Sequence, residues 1–170
     1  MSLDKREQIL NYIYASLLPQ VPGIPAANLF RDASQLTEDQ KPGIVMLDGD
    51  EKLVTDRKGH SLVAMPPAVF VLTPQIFVLL PMVDNVDAAV YPQTYDGQPA
   101  PSGPAISEMR AAILKIIVPD QQLIAMCGPN GQVDYEGCET DMKSGSTIGT
   151  LGAQLQMNFA ISYVLDVRQL

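Results

Sequence analysis

The feature that most constrains this fold is a stretch near the end in which apolar and polar residues alternate, GTLGAQLQMNFAISYVLDV. A period of two is typical of a β-strand with one face in a hydrophobic core. We therefore predict a strand over 151–165. Its predicted core positions are Leu151, Leu155, Met157, Phe159, Ile161 and Tyr163. The opposite face carries uncharged polar residues, which are Gln154, Gln156, Asn158 and Ser162.

The predicted strand is long for a small domain. Fifteen residues at about 3.3 Å each reach about 50 Å, whereas a compact chain of this size is about 40 Å across. Its polar face is also unusual, because no charged residue occurs between Ser144 and Leu165. Polar surface without charge is typical of the centre of a protein interface. We hypothesise that this face contacts another subunit; the alternative is a strand buried on both faces within its own chain.

Composition narrows the function classes. The chain has 170 residues, of which 46% are hydrophobic and 18% charged, as expected for a single folded domain spanning 1–170. Its net charge of −8 disfavours binding to a nucleic-acid backbone. The uncharged run Ser61–Val83 contains four prolines, which argues against a membrane helix. Since no signal peptide or glycosylation motif is evident, we expect a cytoplasmic protein.

The remaining patterns predict two amphipathic helices. The first has an apolar stripe from Ile9 to Leu18 and ends at Pro19. The second begins near Ser107 and ends at Pro119. Two helices cannot cover both sides of a sheet, so we predict an α+β fold with both helices on one face of a mostly antiparallel sheet.

Several strands and turns complete this prediction. We expect a short strand over 28–31, and a buried strand over 43–47 that leads into a polar turn at Asp48–Lys52. The uncharged run divides at TPQ, residues 73–75, into strands over 67–72 and 76–80, with Pro74 in a turn or bulge, because proline is disfavoured inside a central strand. A hairpin turn is predicted at Pro129–Asn130. Tyr91–Pro104 is predicted to be a long loop.

The sequence contains no convincing catalytic motif. His60, the one histidine, lies in a charged segment and has no nucleophile motif nearby. Cys127 and Cys138 are predicted to be buried, reduced thiols in the hairpin. We therefore predict a protein that is not an enzyme and has no cofactor or bound metal. One alternative is a metal-dependent enzyme or ion-binding module that uses Asp48, Asp50 and Glu51, with or without His60. Another is an adaptor domain that binds one protein through the proline-rich loop Tyr91–Pro104.

The order of these elements resembles that of a known group of proteins. The phrases KPGIVMLDGDE, MPPAVFVLTPQIFVLL, SEMRAAILKII, NGQVDYEGCETD and GTLGAQLQMNFAISYVLDVRQL follow one another along the chain. Together they resemble the tail-terminator and tail-completion proteins of long-tailed bacteriophages and prophages. The likeness spans nearly the whole chain and depends mainly on TPQIFVLL and MNFAISYVL.

This resemblance implies a structural protein of the virion tail and neck, assembled in the host cytoplasm. Such proteins form a homo-oligomeric ring, commonly a hexamer, that caps the tail tube protein and docks a head connector or neck protein. DNA would pass through the ring without specific binding, and no membrane would be involved. Gln154, Gln156, Asn158 and Ser162 would then lie at the subunit interface.

Overall fold

The computed structural model describes residues 4–54, 68–80, 94–95, 98–99, 102–129, 131–141 and 153–165. Within these residues the chain has an α+β fold with one five-stranded mixed sheet, as predicted. The helices are α1 (Lys5–Tyr12), α2 (Ser102–Ile117) and α3 (Gln121–Cys127). The strands are β1 (Leu29–Arg31), β2 (Gly43–Leu53), β3 (Ala68–Leu80), β4 (Thr94–Tyr95), β5 (Gln98–Pro99), β6 (Gln132–Asp141) and β7 (Ala153–Leu165).

The sheet has the strand order β1-β2-β3-β7-β6. Only the β1–β2 pair is parallel, and the other three pairs are antiparallel, so the predicted antiparallel character is confirmed. β7 is the last described strand in sequence, yet it pairs with β3 on one side and β6 on the other. β4 and β5 pair with each other in a separate two-stranded ribbon.

The hydrophobic core lies between the helices and one face of the sheet. The apolar stripe of the first helix is buried there, with Ile9 and Leu10 fully covered. After α1 the chain continues through a π-helical turn, Ile13–Leu17, and a 3₁₀ turn, Leu18–Gln20. The helical path therefore passes Pro19, because proline at the start of a helical turn removes no hydrogen bond.

The long final strand is present, with 13 described residues in β7. Five of the six predicted core positions lie on the helix-covered face and are at most 1% exposed, namely Leu155, Met157, Phe159, Ile161 and Tyr163. Leu151 lies outside the described residues. At about 3.3 Å per residue the described strand reaches about 43 Å. That is close to the breadth of the domain, so strand length alone does not require a neighbouring subunit.

The prediction of two strands separated at Pro74 was wrong, because β3 is a single strand of 13 residues. Pro74 is tolerated since it lies opposite a β-bulge, where the register of β2 shifts between Leu47 and Asp50. Two residues of β2, Asp48 and Gly49, lie there opposite the single residue Pro74, and Gly49 has a φ of +70°. A proline opposite a bulge removes no regular ladder hydrogen bond.

The predicted polar turn at Asp48–Lys52 was also wrong. β2 continues through these residues as far as Leu53 and pairs again with β3 beyond the bulge. The charged residues of this segment therefore project from the two faces of a strand. The continuation of β2 through this segment therefore determines which of the segment's carboxylates lie near one another.

A hairpin at Pro129–Asn130 is not formed, because the residues before it are the helix α3. Asp120 caps this helix: its Oδ1 accepts a hydrogen bond of 2.7 Å from the backbone N–H of Leu123. Leu123 and Cys127, one turn apart, are both buried in the core. Cys127 is thus a buried thiol as predicted, whereas Cys138, on β6, is exposed.

The helix α2 begins earlier than predicted, at Ser102 instead of near Ser107. Its start falls inside the segment predicted to be a loop, which also contains β4 and β5. The rest of that segment lies outside the described residues. The described chain therefore has three α-helices where the sequence predicted two.

Candidate functional site

The second face of the sheet, opposite the helices, carries the residues that the sequence singled out. The register of β3 with β7 places Gln75 beside Asn158 and Val71 beside Ser162 on this face. Eight half-buried, uncharged residues of these two strands form what we call the charge-free face. They are Val69, Val71, Thr73, Gln75, Gln156, Asn158, Ala160 and Ser162.

Hydrogen bonds between amide side chains cross the charge-free face. Asn158 Oδ1 accepts one hydrogen bond from Gln156 Nε2, at 3.0 Å, and another from Gln75 Nε2, at 3.3 Å. The second bond joins β7 to β3 through side chains, in addition to the backbone ladder. The carbonyl oxygens of both glutamines face no donor among the described residues, so they are acceptors that a partner could use.

Gln154 differs from the other predicted interface residues, since it is only 5% exposed. Its Oε1 is buried without a hydrogen-bond partner among the described residues. A buried acceptor without a donor costs about 1–3 kcal/mol. Gln154 is therefore a buried end of this strand face and not part of its accessible surface.

One end of the second face is covered by the chain itself. Val45, Phe77 and Leu79 project from β2 and β3 on this side and form a small apolar cluster with Leu36, which lies between β1 and β2 in sequence. All four are at most 4% exposed. The charge-free face continues from this cluster along β3 and β7, where its residues are only half-buried.

Charged residues flank the charge-free face on both sides. On β2, Asp50 and Lys52 pair with Thr73 and Val71 and are exposed. On β6, Asp134 and Glu139 lie beside Ala160 and Gln156 and are also exposed. An uncharged centre with a charged rim is the usual arrangement of a protein–protein interface.

The predicted interface residues thus share one face of β7, but they are not equivalent. Gln156 and Asn158 belong to the amide network, whereas Gln154 is buried. Ser162 Oγ accepts a hydrogen bond of 3.1 Å from the backbone N–H of Gln132, so it ties β7 to β6. Ala160, which the sequence did not single out, lies between Asn158 and Ser162 and makes no side-chain hydrogen bond.

The carboxylates of the alternative metal site do not converge. Asp48 binds Arg31 with both of its oxygens. Glu51 accepts a hydrogen bond of 2.7 Å from the Tyr163 hydroxyl on the core side of the sheet. Asp50 lies on the opposite face, beside Thr73. Among the described residues no three potential ligands form a metal-binding group, and His60 lies outside them.

Arg31 is a central charged residue that the sequence analysis missed. Its guanidinium binds Asp48 with two hydrogen bonds of 2.7 Å and Glu7 with two of 2.6 and 2.8 Å. These hydrogen bonds lower the pKa of Glu7 and raise the pKa of Arg31. The partners are 24 and 17 residues away in sequence, so no local pattern could reveal them.

The hydroxyl of Tyr163, on β7, lies in the same charged region as Arg31. Burial raises the pKa of Tyr163, and its hydrogen bond to Glu51 raises it further. Arg6 forms ion pairs with Glu51, at 3.5 Å, and with Asp48, at 3.8 Å. These groups satisfy each other and fix α1 to the sheet, so their arrangement is that of a structural network.

Comparisons with known proteins do not assign a family. No protein-family model matches this sequence, and no curated protein matches it significantly. Among the described residues, none of the helices is both long and apolar enough to span a bilayer.

Proposed function

We propose that this protein is a structural component of a bacteriophage tail, which forms a ring on the tail tube and joins it to the head connector. The order of the sequence phrases and the resemblance described above support the phage assignment. The charge-free face supports an assembling subunit, and it is the observation that carries this proposal. The proposed location is the virion, after assembly in the host cytoplasm.

In such a ring, each contact between neighbouring subunits would join the charge-free face of one subunit to a different surface of the next. In a closed ring each subunit presents two different surfaces, one to each neighbour. The half-buried amides of Gln75 and Gln156 would then accept hydrogen bonds from the neighbouring subunit. The flanking charges of β2 and β6 would form the solvated rim of that contact.

The net charge of −8 agrees with a ring through which DNA passes. Carboxylates around a lumen repel phosphates, so DNA would slide without binding. Replacing lumen carboxylates by amides should therefore slow genome ejection from assembled phage. Unchanged ejection would argue against this role of the acidic charge.

Negative-stain electron microscopy of the purified protein, combined with multi-angle light scattering, tests the ring directly. We expect closed rings of uniform subunit number, whose mass does not depend on concentration above a threshold. We also expect the protein to stop the growth of tubes when it is added to polymerising tail tube protein from the same phage. A protein that remains monomeric at high concentration and leaves tube length unchanged would refute the proposal.

A further inference from the structure

The outer edge of β6 is a second surface, which adjoins the charged rim of the charge-free face. β6 spans Gln132–Asp141 and pairs only with β7 in the described part of the chain. An edge strand directs alternate backbone N–H and C=O groups away from its single neighbour. Among the described strands these groups have no partner, so they can form hydrogen bonds with an added extended segment.

The exposed side chains of β6 are predominantly acidic. Asp134, Glu136 and Glu139 are exposed, and none of them forms a salt bridge within the described residues. Asp134 and Glu139 lie on the same side of the sheet, because they pair with Ala160 and Gln156. An added strand would therefore meet two unpaired carboxylates on one face.

The charges determine which partner this edge can accept. In the antiparallel register centred between Glu136 and Gly137, a second β6 strand from another copy would place Asp134 opposite Glu139, which destabilises a cross-strand pair. The edge thus disfavours pairing between its own copies, as natural sheet edges commonly do. A strand with lysine or arginine at alternate positions would instead form favourable cross-strand pairs.

A bulge divides the edge into two parts. The register of β6 shifts between Tyr135 and Gly137, and Gly137 has a φ of +123°. Regular pairing with an added strand is therefore interrupted at Glu136 and divided into two short runs, 132–135 and 137–141. Such lengths suit a short extended segment and not a long strand of another sheet.

We propose that the edge strand β6 binds an extended, basic segment of a partner protein by adding it to the sheet. Backbone hydrogen bonds would supply affinity, and Asp134 and Glu139 would select lysine or arginine. This inference does not depend on the ring or on the phage assignment.

A synthetic peptide of about nine residues, in which lysine alternates with threonine, serves as the probe. Its binding to the full-length protein is measured by fluorescence anisotropy. We expect saturable binding, and protection of the β6 amides from hydrogen exchange when the peptide is present. A second peptide, N-methylated at alternate residues, keeps the charge but loses backbone donors, and we expect it to bind at least about tenfold more weakly.

Charge-reversed variants test the role of the carboxylates. The double variant Asp134→Lys/Glu139→Lys should bind the lysine peptide at least about tenfold more weakly. The matched control is Asp39→Lys/Asp50→Lys, which changes net charge equally at two other exposed sites. We expect this control to retain most of the affinity of the unchanged protein, and both variants to keep the native circular dichroism spectrum.

Four results would overturn the proposal. They are no binding of the lysine peptide, equal binding of the N-methylated peptide, equal loss of affinity in both double variants, and no protection of β6 amides. A fifth is protection of the β6 amides by self-association alone, without the peptide, since a second copy would then be the occupant of this edge.

Discussion

Arg31 shows how one side chain connects the first helix to the sheet. It comes from the short edge strand β1 and binds Glu7 of α1 and Asp48 of β2, each through two hydrogen bonds. Only a guanidinium has enough donors in one plane to bind two carboxylates in this way. Within the acidic DGDE segment, Asp48 is therefore paired with a neighbouring arginine.

The ion pair between Glu7 and Arg31 makes a testable contribution to the pH dependence of stability. The pKa of Glu7 is lowered from its usual 4.5 mainly by hydrogen bonding to Arg31. The folded state thus favours the ionised carboxylate, and the pair stabilises the protein above pH 4.5. This stability is lost as the pH falls through the lowered pKa.

Glu7→Gln should reduce the free energy of unfolding at pH 7 by about 0.5–1 kcal/mol, as for a half-exposed ion pair. Because the variant cannot titrate at this position, the difference from the unchanged protein should decrease as the pH falls below 4.5. Urea denaturation at pH 7 and at successively lower pH values measures both effects. A difference that stays constant over this range would contradict the assigned role of Glu7.

The two cysteines should differ strongly in reactivity. Burial raises the pKa of the Cys127 thiol to about 11, whereas Cys138 is exposed on β6. With a thiol-reactive dye at pH 8, we expect one cysteine to react rapidly and the second only after denaturation. Cys138→Ser should remove the rapid reaction, and Cys127→Ser should leave it unchanged. Rapid labelling of the Cys138→Ser variant would show that Cys127 is not buried in the core.

At the scale of elements, the bulge between β2 and β3 allows a proline in a central strand. Gly49 has a φ of +70°, and a Cβ atom there would overlap the backbone carbonyl of Thr73. The neighbouring Pro74 has no N–H to donate to this part of the ladder. The two residues therefore act together. Gly49 adopts the positive φ that the bulge requires, and Pro74 has no N–H that needs an acceptor in the ladder.

Gly49→Ala should therefore destabilise the fold by more than the cost of placing alanine at a positive φ, because the Cβ atom would also overlap Thr73. Gly137 is the matched control, because its φ of +123° also disfavours alanine, but a Cβ atom there would have no described neighbour within 4 Å. We expect a loss of about 1–3 kcal/mol in the free energy of unfolding for Gly137→Ala and a larger loss for Gly49→Ala. Urea denaturation of both variants gives the comparison, and equal losses would show that the close approach to Thr73 adds nothing.

The sequence predicted those elements whose signal is local and periodic. The alternation of β7 and the apolar stripe of α1 both identify their buried faces correctly. The short helix α3 was missed because its apolar positions, Leu123 and Cys127, are only one turn apart and precede a GPNG turn. The continuity of β3 was missed because the bulge that accommodates Pro74 belongs to another strand.

The candidate interface was predictable in part, because the periodic pattern of β7 is local in sequence. Alternation placed Gln156, Asn158 and Ser162 on one face, and the register of the sheet keeps them there. The contribution of β3 could not be predicted, because Gln75 meets Asn158 only through a pairing between residues 83 positions apart. The burial of Gln154 likewise depends on contacts that a single strand pattern does not contain.

At the scale of the whole molecule, the proposed ring predicts that a charge placed on the charge-free face prevents assembly. Ala160→Glu is the sharpest variant, because Ala160 makes no side-chain hydrogen bond that the change would break. Gln156→Glu and Asn158→Lys test neighbouring positions, although Asn158→Lys also removes the acceptor of two amide hydrogen bonds. We expect all three variants to remain folded and to lose the ring, with subunit affinity lowered at least about tenfold.

Thr140→Glu is the matched control, since it adds the same charge at an exposed strand position of β6. Light scattering and electron microscopy measure assembly, and circular dichroism confirms folding. Normal rings from Ala160→Glu would exclude the charge-free face from the subunit contact. Equal loss of assembly in Thr140→Glu would indicate a general effect of added charge.

The position of β7 in the sheet also has a consequence for synthesis on the ribosome. This strand is made after every other described element, yet β3 and β6 both depend on it for pairing. Lys5, near the start of the described chain, donates a hydrogen bond of 2.7 Å to the carbonyl of Val164, which is 159 residues away. Contacts between residues so distant in sequence form late and slow folding. The nascent polypeptide must therefore wait, with its sheet incomplete, until translation of β7 is finished.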